Sequence, residues 1–429
     1  MRLYDTSTRS LAELPSPPGP VRMYFCGPTV YARAHIGNAR PFIVGMWLRS
    51  WLRATGYEAA LVHNITDIND KIYDAAPGAS AELAARATDW YLEDTRDLGL
   101  GMPDHEPKAT ECVPQIVQFI EELIEAGHAY ASGGDVYFRV SSFPEYGRLS
   151  GQRPDQVEQG EEPSALKDDP RDFALWKANK PETEDTWWDS PWGRGRPGWH
   201  IECSVMAEQI YGPAFEIHGG GLDLVFPHHE NEVAQSRALG HQFARIWAHN
   251  GMLRFTGEKM SKSAGNVSTI RETLDEWGRE AILVFFLTAS WRKPIDFSPE
   301  TMAQAAARRD TLRNAFTQEP AAPDEGRWQT LVDALDDDFD TPAALAVLHD
   351  WAGERQLDLL RRGLAIFGLE SLAEREEAPP EVVDLAERRA RARADKDFET
   401  SDRLREQLAA QGWQMRDEPG GGYLLVRDA

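Results

Sequence analysis

Cysteine is scarce in this chain: three residues in 429, Cys26, Cys112 and Cys203, far apart in sequence. A disulfide-stapled secreted framework is thereby excluded, and in a reducing compartment each thiol is left with metal ligation or plain burial. Also missing is any run near the roughly 18 apolar residues that a membrane span needs. The opening MRLYDTSTRS lacks the apolar core of a secretory signal. A cytoplasmic protein without membrane contact is therefore expected. Positive charge is in deficit, the formal net charge being -24. The whole-chain field repels a polyanion, so any contact with nucleic acid has to come from local basic patches. No internal repeat or long low-complexity tract appears.

What is present is globular in character. Hydrophobic residues make up 41%, charged residues 27%, and there are 14 tryptophans, enough apolar surface to build a core and avoid extensive disorder. The length predicts two to four modules. Val21–Val30 reads as a short buried strand ending in a Gly-Pro break, Ala39–Arg53 as a helix, and Tyr57–Ile65 as the next parallel strand. Strand, helix, strand opens a doubly wound α/β sheet, and ligands of such sheets sit outside the carboxyl ends of the strands. The loops after Val30 and Ile65, the second carrying Thr66, Asp67 and Asp70, are thus expected to share one crevice.

Farther on, Ser80 to about Gly127 reads as helices, Asp135–Val140 as a strand, and Gly151 to Pro170 as a Pro-, Glu- and Gln-rich stretch inserted into the sheet domain. Phe215–Ile217 and Arg245–Asn250 resume short strands, and Ile270–Thr288 resumes helix. From about Ser298 the pattern is almost wholly helical, divided by breakers at Glu376–Pro380. The expected architecture is α/β: a catalytic domain over 1–290 with an insertion at about 80–195, a helical bundle over 291–375 and a small C-terminal domain over 381–429. In the tail, Arg388, Arg389, Arg391, Arg393, Lys396, Arg403 and Arg405 concentrate positive charge that Asp395, Asp397, Glu399 and Asp402 dilute. On charge alone a solvated helix face is the first reading and an RNA site the second.

Three constellations carry chemistry. His35-Ile36-Gly37-Asn38 opens the first helix, where backbone N–H groups and the helix dipole favour phosphate. A plain turn before a helix explains it equally well. Lys259-Met260-Ser261-Lys262-Ser263 places two ammonium groups between flexible glycines, suited to charge developing on a leaving pyrophosphate. Cys26, Cys203, His228 and Glu232 offer two sulfurs, a nitrogen and an oxygen, with His228 and Glu232 four apart and on one face of a helix. The competing reading makes the cysteines small buried hydrophobes and turns His229 or Glu230 inward instead. Trp199 can wall a small pocket or fill a core. Asp223, after Gly219-Gly220-Gly221, can hold an ammonium group or end a tight loop. Cys112 reads as simple burial.

In this order the segments YFCGPTVY, HIGN, NITDIND, GRPGWHIECS, HGGGLDLVFPHHENE and GEKMSKS resemble the cysteinyl-tRNA synthetases, nearly from end to end. The resemblance implies a Rossmann-like class I synthetase fold with HIGN and KMSKS framing Mg-ATP. Cys26, Cys203, His228 and Glu232 become ligands of one Zn2+. His35, Asn38 and Lys262 become ATP contacts, with His35, Lys259 and Lys262 catalytic; Trp199, Asp223 and Thr66 lie near bound L-cysteine. The partners implied are ATP, L-cysteine and tRNA(Cys), the last held by the bundle and the Arg-rich tail. Zinc would select the substrate thiolate over a serine hydroxyl, without an editing domain. Two departures stand out: the stretch from about Trp351 to Leu369 is shorter than the family's bundle, and Tyr423 replaces the family's usual Trp. The rival readings are a cysteine:amino-sugar ligase of mycothiol synthesis and a catalytically silent tRNA-binding paralogue. No dimerisation device is visible, which makes a monomer the default.

Overall fold

The computed structural model of the chain describes residues 1–153, 159, 164–255, 268–374, 378–417 and 422–427. At its centre four strands run parallel in the order Phe243–Asn250, Ala214–Gly221, Pro20–Phe25, Glu58–His63. The helix Ile36–Ala54 connects the last two, the kind of crossover that a parallel pair requires. Because the chain leaves Pro20–Phe25 toward one neighbour and returns later on its other side, the topological switch lies between Pro20–Phe25 and Ala214–Gly221. That is where a doubly wound sheet opens a crevice.

Side chains alternate across a strand, and the alternation divides the core in two. Met23, Phe25, Leu61, Ile217, Ile246 and Ala248 face one way and pack with Phe42, Met46 and Trp47 of the crossover helix. Tyr24, Cys26, Val62 and Trp247 face the other way and pack with Cys203, Met206 and Val233, from the helices Trp199–Tyr211 and Glu230–Ala238. The two resumed strands are eight residues each, longer than the expected Phe215–Ile217 and Arg245–Asn250. Gly219, Gly220 and Gly221 read as a loop in the sequence but here complete the parallel pairing.

The stretch expected as an insertion carries the helices Ser80–Asp97 and Val113–Glu125, and an antiparallel sheet follows from Ala129–Ser132, Asp135–Phe138, Phe173–Ala178 and Gly195–Pro197. The expected strand Asp135–Val140 stops at Phe138, and Val140–Ser142 forms a single 3-10 turn. The expected helix Ile270–Thr288 is two helices, Ile270–Trp277 and Arg279–Leu287. Gly278, at φ 74°, breaks them, a conformation open to glycine at little cost.

Beyond Ser298, the helices Pro299–Ala315, Trp328–Asp336, Thr341–Gly353 and Leu357–Ile366 follow in sequence. The end of the chain departs from the almost wholly helical expectation. After Pro380–Ala394 and Phe398–Ala410 comes an antiparallel hairpin of Trp413–Asp417 and Tyr423–Arg427. Val382, Leu385, Leu404, Leu408 and Trp413 give it a separate small core. Arg388, Arg391 and Arg405 there pair with Asp384, Glu387 and Asp402 of their own helices, so much of the basic charge is locally compensated.

Candidate metal centre and nucleotide crevice

Cys26 is the first residue past the end of its strand, held there by its N–H donating to the Gly219 carbonyl at 2.9 Å. It faces Cys203 on the helix Trp199–Tyr211, and both thiols are buried and free of disulfides. His228 Nε2 lies 3.1 Å from Glu232 Oε1. The four donor atoms of Cys26, Cys203, His228 and Glu232 all fall within 4.8 Å of one another. The helix itself begins only at Glu230; His228 belongs to the wider π-type turn Val225–His229 that precedes it. The i, i+4 relation brings the two groups together although their backbone is not one regular helix.

The sequence reading sets His228 against His229 as alternatives, and the structure turns both inward. His229 Nε2 is 3.3 Å from Cys26 Sγ, and His218 Nε2 is 3.1 Å from Glu232 Oε2. A second quartet, Cys26, His218, His229 and Glu232, therefore meets the same 4.8 Å limit. His218 is left out of the sequence-based set; the signal for it is the strand period, which puts His218 beside Tyr24 on the face that carries Cys26. Glu230 is spent elsewhere, accepting from the N–H groups of Gly147 and Ser150 at 2.8 and 2.7 Å.

The surrounding groups fix these rings. His228 Nδ1 meets His200 Nδ1 at 3.0 Å, and Trp199 stacks over His228 with centroids 4.2 Å apart. His229 Nδ1 meets His249 Nε2 at 2.7 Å, and His249 Nδ1 meets the Thr6 hydroxyl at 2.7 Å. Burial pushes His218, His228 and His249 down to about 3 and Glu232 up to about 8, and it raises the Cys26 thiol well above its usual range. Without a cation every one of these groups is driven to its neutral form. Neutral imidazole is what a metal binds, and a dication supplies the charge that thiolate and carboxylate lack here. Two sulfurs, a nitrogen and an oxygen in a dry site fit Zn2+.

The other predicted residues distribute around this centre. Thr66 is buried and its hydroxyl accepts from Asn64 Nδ2 at 3.2 Å, while Asn64 Oδ1 accepts from Gly27 N–H at 2.9 Å and lies 3.8 Å from Cys203 Sγ. Asp223 is exposed, outside the buried cluster. Cys112 is buried and enters neither quartet. At the mouth of the helix Ile36–Ala54, Asn38 Oδ1 accepts from the His35 N–H at 3.2 Å and caps the first turn. His35 bridges to Thr269, Ile36 N–H donates to Ser268 O at 2.9 Å, and the His35 ring meets Phe255 edge-on at 6.3 Å. Lys259 and Lys262 lie outside the described residues; the segments on either side of them, ending at Phe255 and resuming at Ser268, both meet His35.

Residues 13–307 match the catalytic-domain model of the class I (C) tRNA synthetases, 331–361 the DALR domain, and 375–424 the cysteinyl-tRNA ligase anticodon-binding domain. A cysteine–tRNA ligase from Pseudothermotoga lettingae is 42% identical, with all of both chains covered. One from Alkalilimnicola ehrlichii is 44% identical over 95% of each. The chain belongs to the cysteine–tRNA ligase family. The fold agrees: Mycobacterium tuberculosis methionyl-tRNA synthetase, solved with methionyl-adenylate, superposes with a TM-score of 0.60 at 15% identity, over 82% of this chain and 88% of that one. Among the described residues of this cysteine–tRNA ligase family member, no helix is long and apolar enough to cross a membrane.

Proposed function

We propose that this enzyme activates L-cysteine with Mg-ATP and transfers it to tRNA(Cys), with one Zn2+ held by Cys26, Cys203, His228 and Glu232. The observation that carries the reading is the buried two-sulfur, one-nitrogen, one-oxygen quartet at the switch point of the sheet, within a chain matching cysteine–tRNA ligases from end to end. Bound there, Zn2+ supplies a soft Lewis acid that prefers a thiolate to a hydroxyl, which separates cysteine from serine. A site built on one specific polar bond can discriminate by about 10⁴ or more.

In this reading the cysteine carboxylate oxygen attacks the α-phosphorus of ATP. The bond to the bridging oxygen breaks and pyrophosphate leaves. The terminal ribose hydroxyl of tRNA then takes the cysteinyl group from the adenylate and AMP departs. No side-chain nucleophile enters, so the rate comes from positioning and charge stabilisation. His35 and Asn38 meet the nucleotide at the helix mouth, Lys259 and Lys262 meet the phosphates, and Trp199 and Thr66 wall the amino acid. Asp223, which is exposed, is assigned to its ammonium group. The catalytic domain 1–290, bundle 291–375 and C-terminal domain 381–429 divide the work, the last two gripping tRNA in a cytoplasmic monomer.

Cysteine-dependent exchange of labelled pyrophosphate into ATP, followed by transfer to tRNA or to an amino sugar, tests the reading. Exchange with tRNA charging supports it. Exchange with transfer only to the sugar turns it into the mycothiol-type ligase, and no exchange from zinc-loaded protein leaves a silent paralogue.

A further inference from the structure

Asp94 lies on the helix Ser80–Asp97, outside the parallel sheet, yet its carboxylate is fully buried and takes two guanidiniums. Arg33 approaches it two-pronged, Nε donating to Oδ2 at 3.0 Å and Nη2 to Oδ1 at 2.8 Å. Arg271 Nε donates to the same Oδ1 at 3.1 Å. Glu93 and Asp97 of that helix also accept, from Arg33 Nη2 at 2.9 Å and from Arg271 Nη2 at 2.6 Å. One arginine stands two residues before His35, the other one residue after Ile270. Between them the chain makes a short antiparallel junction: Ile36 N–H donates to Ser268 O and Ile270 N–H to Ala34 O, both at 2.9 Å, with His35 opposite Thr269.

The two guanidiniums repel each other, so without the shared carboxylate the two sides of the junction would be pushed apart. A buried ion pair gains little net stability over apolar side chains of the same volume; what two-pronged pairing adds is geometry. We propose that Asp94 is a positioning residue for the nucleotide step: by holding Arg33 and Arg271 on one buried carboxylate, it fixes the junction that sets His35 and the mouth of the helix Ile36–Ala54 against the segment resuming at Ser268. The inference rests on the proposed placing of ATP at that helix mouth. No group of this cluster belongs to the metal quartet, so ATP and cysteine feel its loss differently.

Asp94→Asn keeps the shape and removes the charge. Amide hydrogen exchange at Ile36 and Ile270, read by mass spectrometry of the peptides that carry them, is expected to quicken about 10-fold, while the amides of the strands Pro20–Phe25 and Glu58–His63 keep their rates. In cysteine-dependent pyrophosphate exchange the KM for ATP is expected to rise about 10-fold, with the KM for cysteine within about twofold of wild type. A loss of folded protein lowers kcat alone, so the split between the two KM values separates positioning from damage to the fold. Arg271→Gln leaves Asp94 paired with Arg33 and is expected to show the same pattern in weaker form; it decides the matter should Asp94→Asn fail to fold. Unchanged exchange at both amides overturns the clamp whatever the kinetics. Faster exchange there with the KM for ATP unmoved, or with both KM values raised alike, overturns its role in positioning the nucleotide. A wild-type protein that exchanges no pyrophosphate overturns the proposed function and this role with it, and the amide rates still judge the clamp.

Discussion

Arg40 is a buried guanidinium that, among the described residues, has no carboxylate partner within salt-bridge distance. It projects from the helix opened by His35 and donates to the carbonyls of Gly251 at 2.5 Å and Ser290 at 3.1 Å, with Met252 farther at 3.4 Å. Gly251 and Met252 begin the segment that leads through Leu253–Phe255 toward Lys259 and Lys262. Arg40→Met removes the charge and keeps most of the volume. The two shorter bonds, at the roughly 1.5–3 kcal/mol usual for a charged donor, represent a loss of about 3–6 kcal/mol. Against this, burial pulls the Arg40 pKa down to about 10, a desolvation cost of about 3 kcal/mol that the variant no longer bears. The net loss of stability is expected to be only about 0–3 kcal/mol. Exchange of pyrophosphate should fall much further, about 10- to 100-fold, because Gly251 and Met252 lose their tie to the helix that the proposed function places at the nucleotide, and small misplacements of reacting groups are costly. Thermal unfolding and cysteine-dependent exchange on the same preparation separate the two effects. A variant that unfolds at room temperature, or one that is destabilised but fully active, refutes the reasoning.

Other consequences follow from the same geometry. A Cβ at Gly27 would stand 1.6 Å from the Asn64 carbonyl oxygen and 2.8 Å from His63 Nδ1. Gly27→Ala is therefore expected to cost more than about 3 kcal/mol, measured by denaturant titration; a neutral result would mean that this strand end yields easily. Burial pushes His63 down to about 4, whereas the unfolded chain binds that proton near pH 6.5. The unfolded state binds more protons between those values, so stability falls as pH drops from about 6.5 toward 4, by up to about 3 kcal/mol from this residue. His63→Phe should flatten that limb of the stability–pH curve, and an unchanged slope would remove His63 as a source of acid sensitivity. Stripping metal with a chelator should lower the melting temperature and should be reversed by Zn2+ in proportion to the logarithm of its free concentration; no shift would argue against an occupied site in the folded enzyme.

Part of this picture was legible in the sequence: the two distant cysteines and the His-x-x-x-Glu spacing meet in one buried cluster, and the order of HIGN, the paired lysines and these residues along the chain carries the family. The parallel sheet followed from the same patterning, because apolar runs separated by a helix have few ways to pack. Strand ends were less legible. Phe243–Asn250 and Ala214–Gly221 extend past their apolar residues because backbone pairing continues through polar His249 and through three glycines, which hydrophobic pattern does not register. The C-terminal hairpin was hidden in the same way, a short ladder closing on a small core of its own.

The sequence alone determined which chemical groups the protein owns: thiols, imidazoles and carboxylates that can ligate a metal, a turn that opens a helix, a pair of lysines, and a net charge of -24, too acidic to bind a polyanion everywhere. Tertiary structure decided which of them meet. Cys26 and Cys203 are 177 residues apart in the chain and converge because one ends the strand beside the switch point and the other lies on a helix packed over it. Burial then drives His218, His228, Glu232 and Cys26 toward neutrality, and the pleat puts Tyr24 on their side of the sheet. None of this is written in residue spacing, since burial and register depend on what the rest of the chain packs against each position.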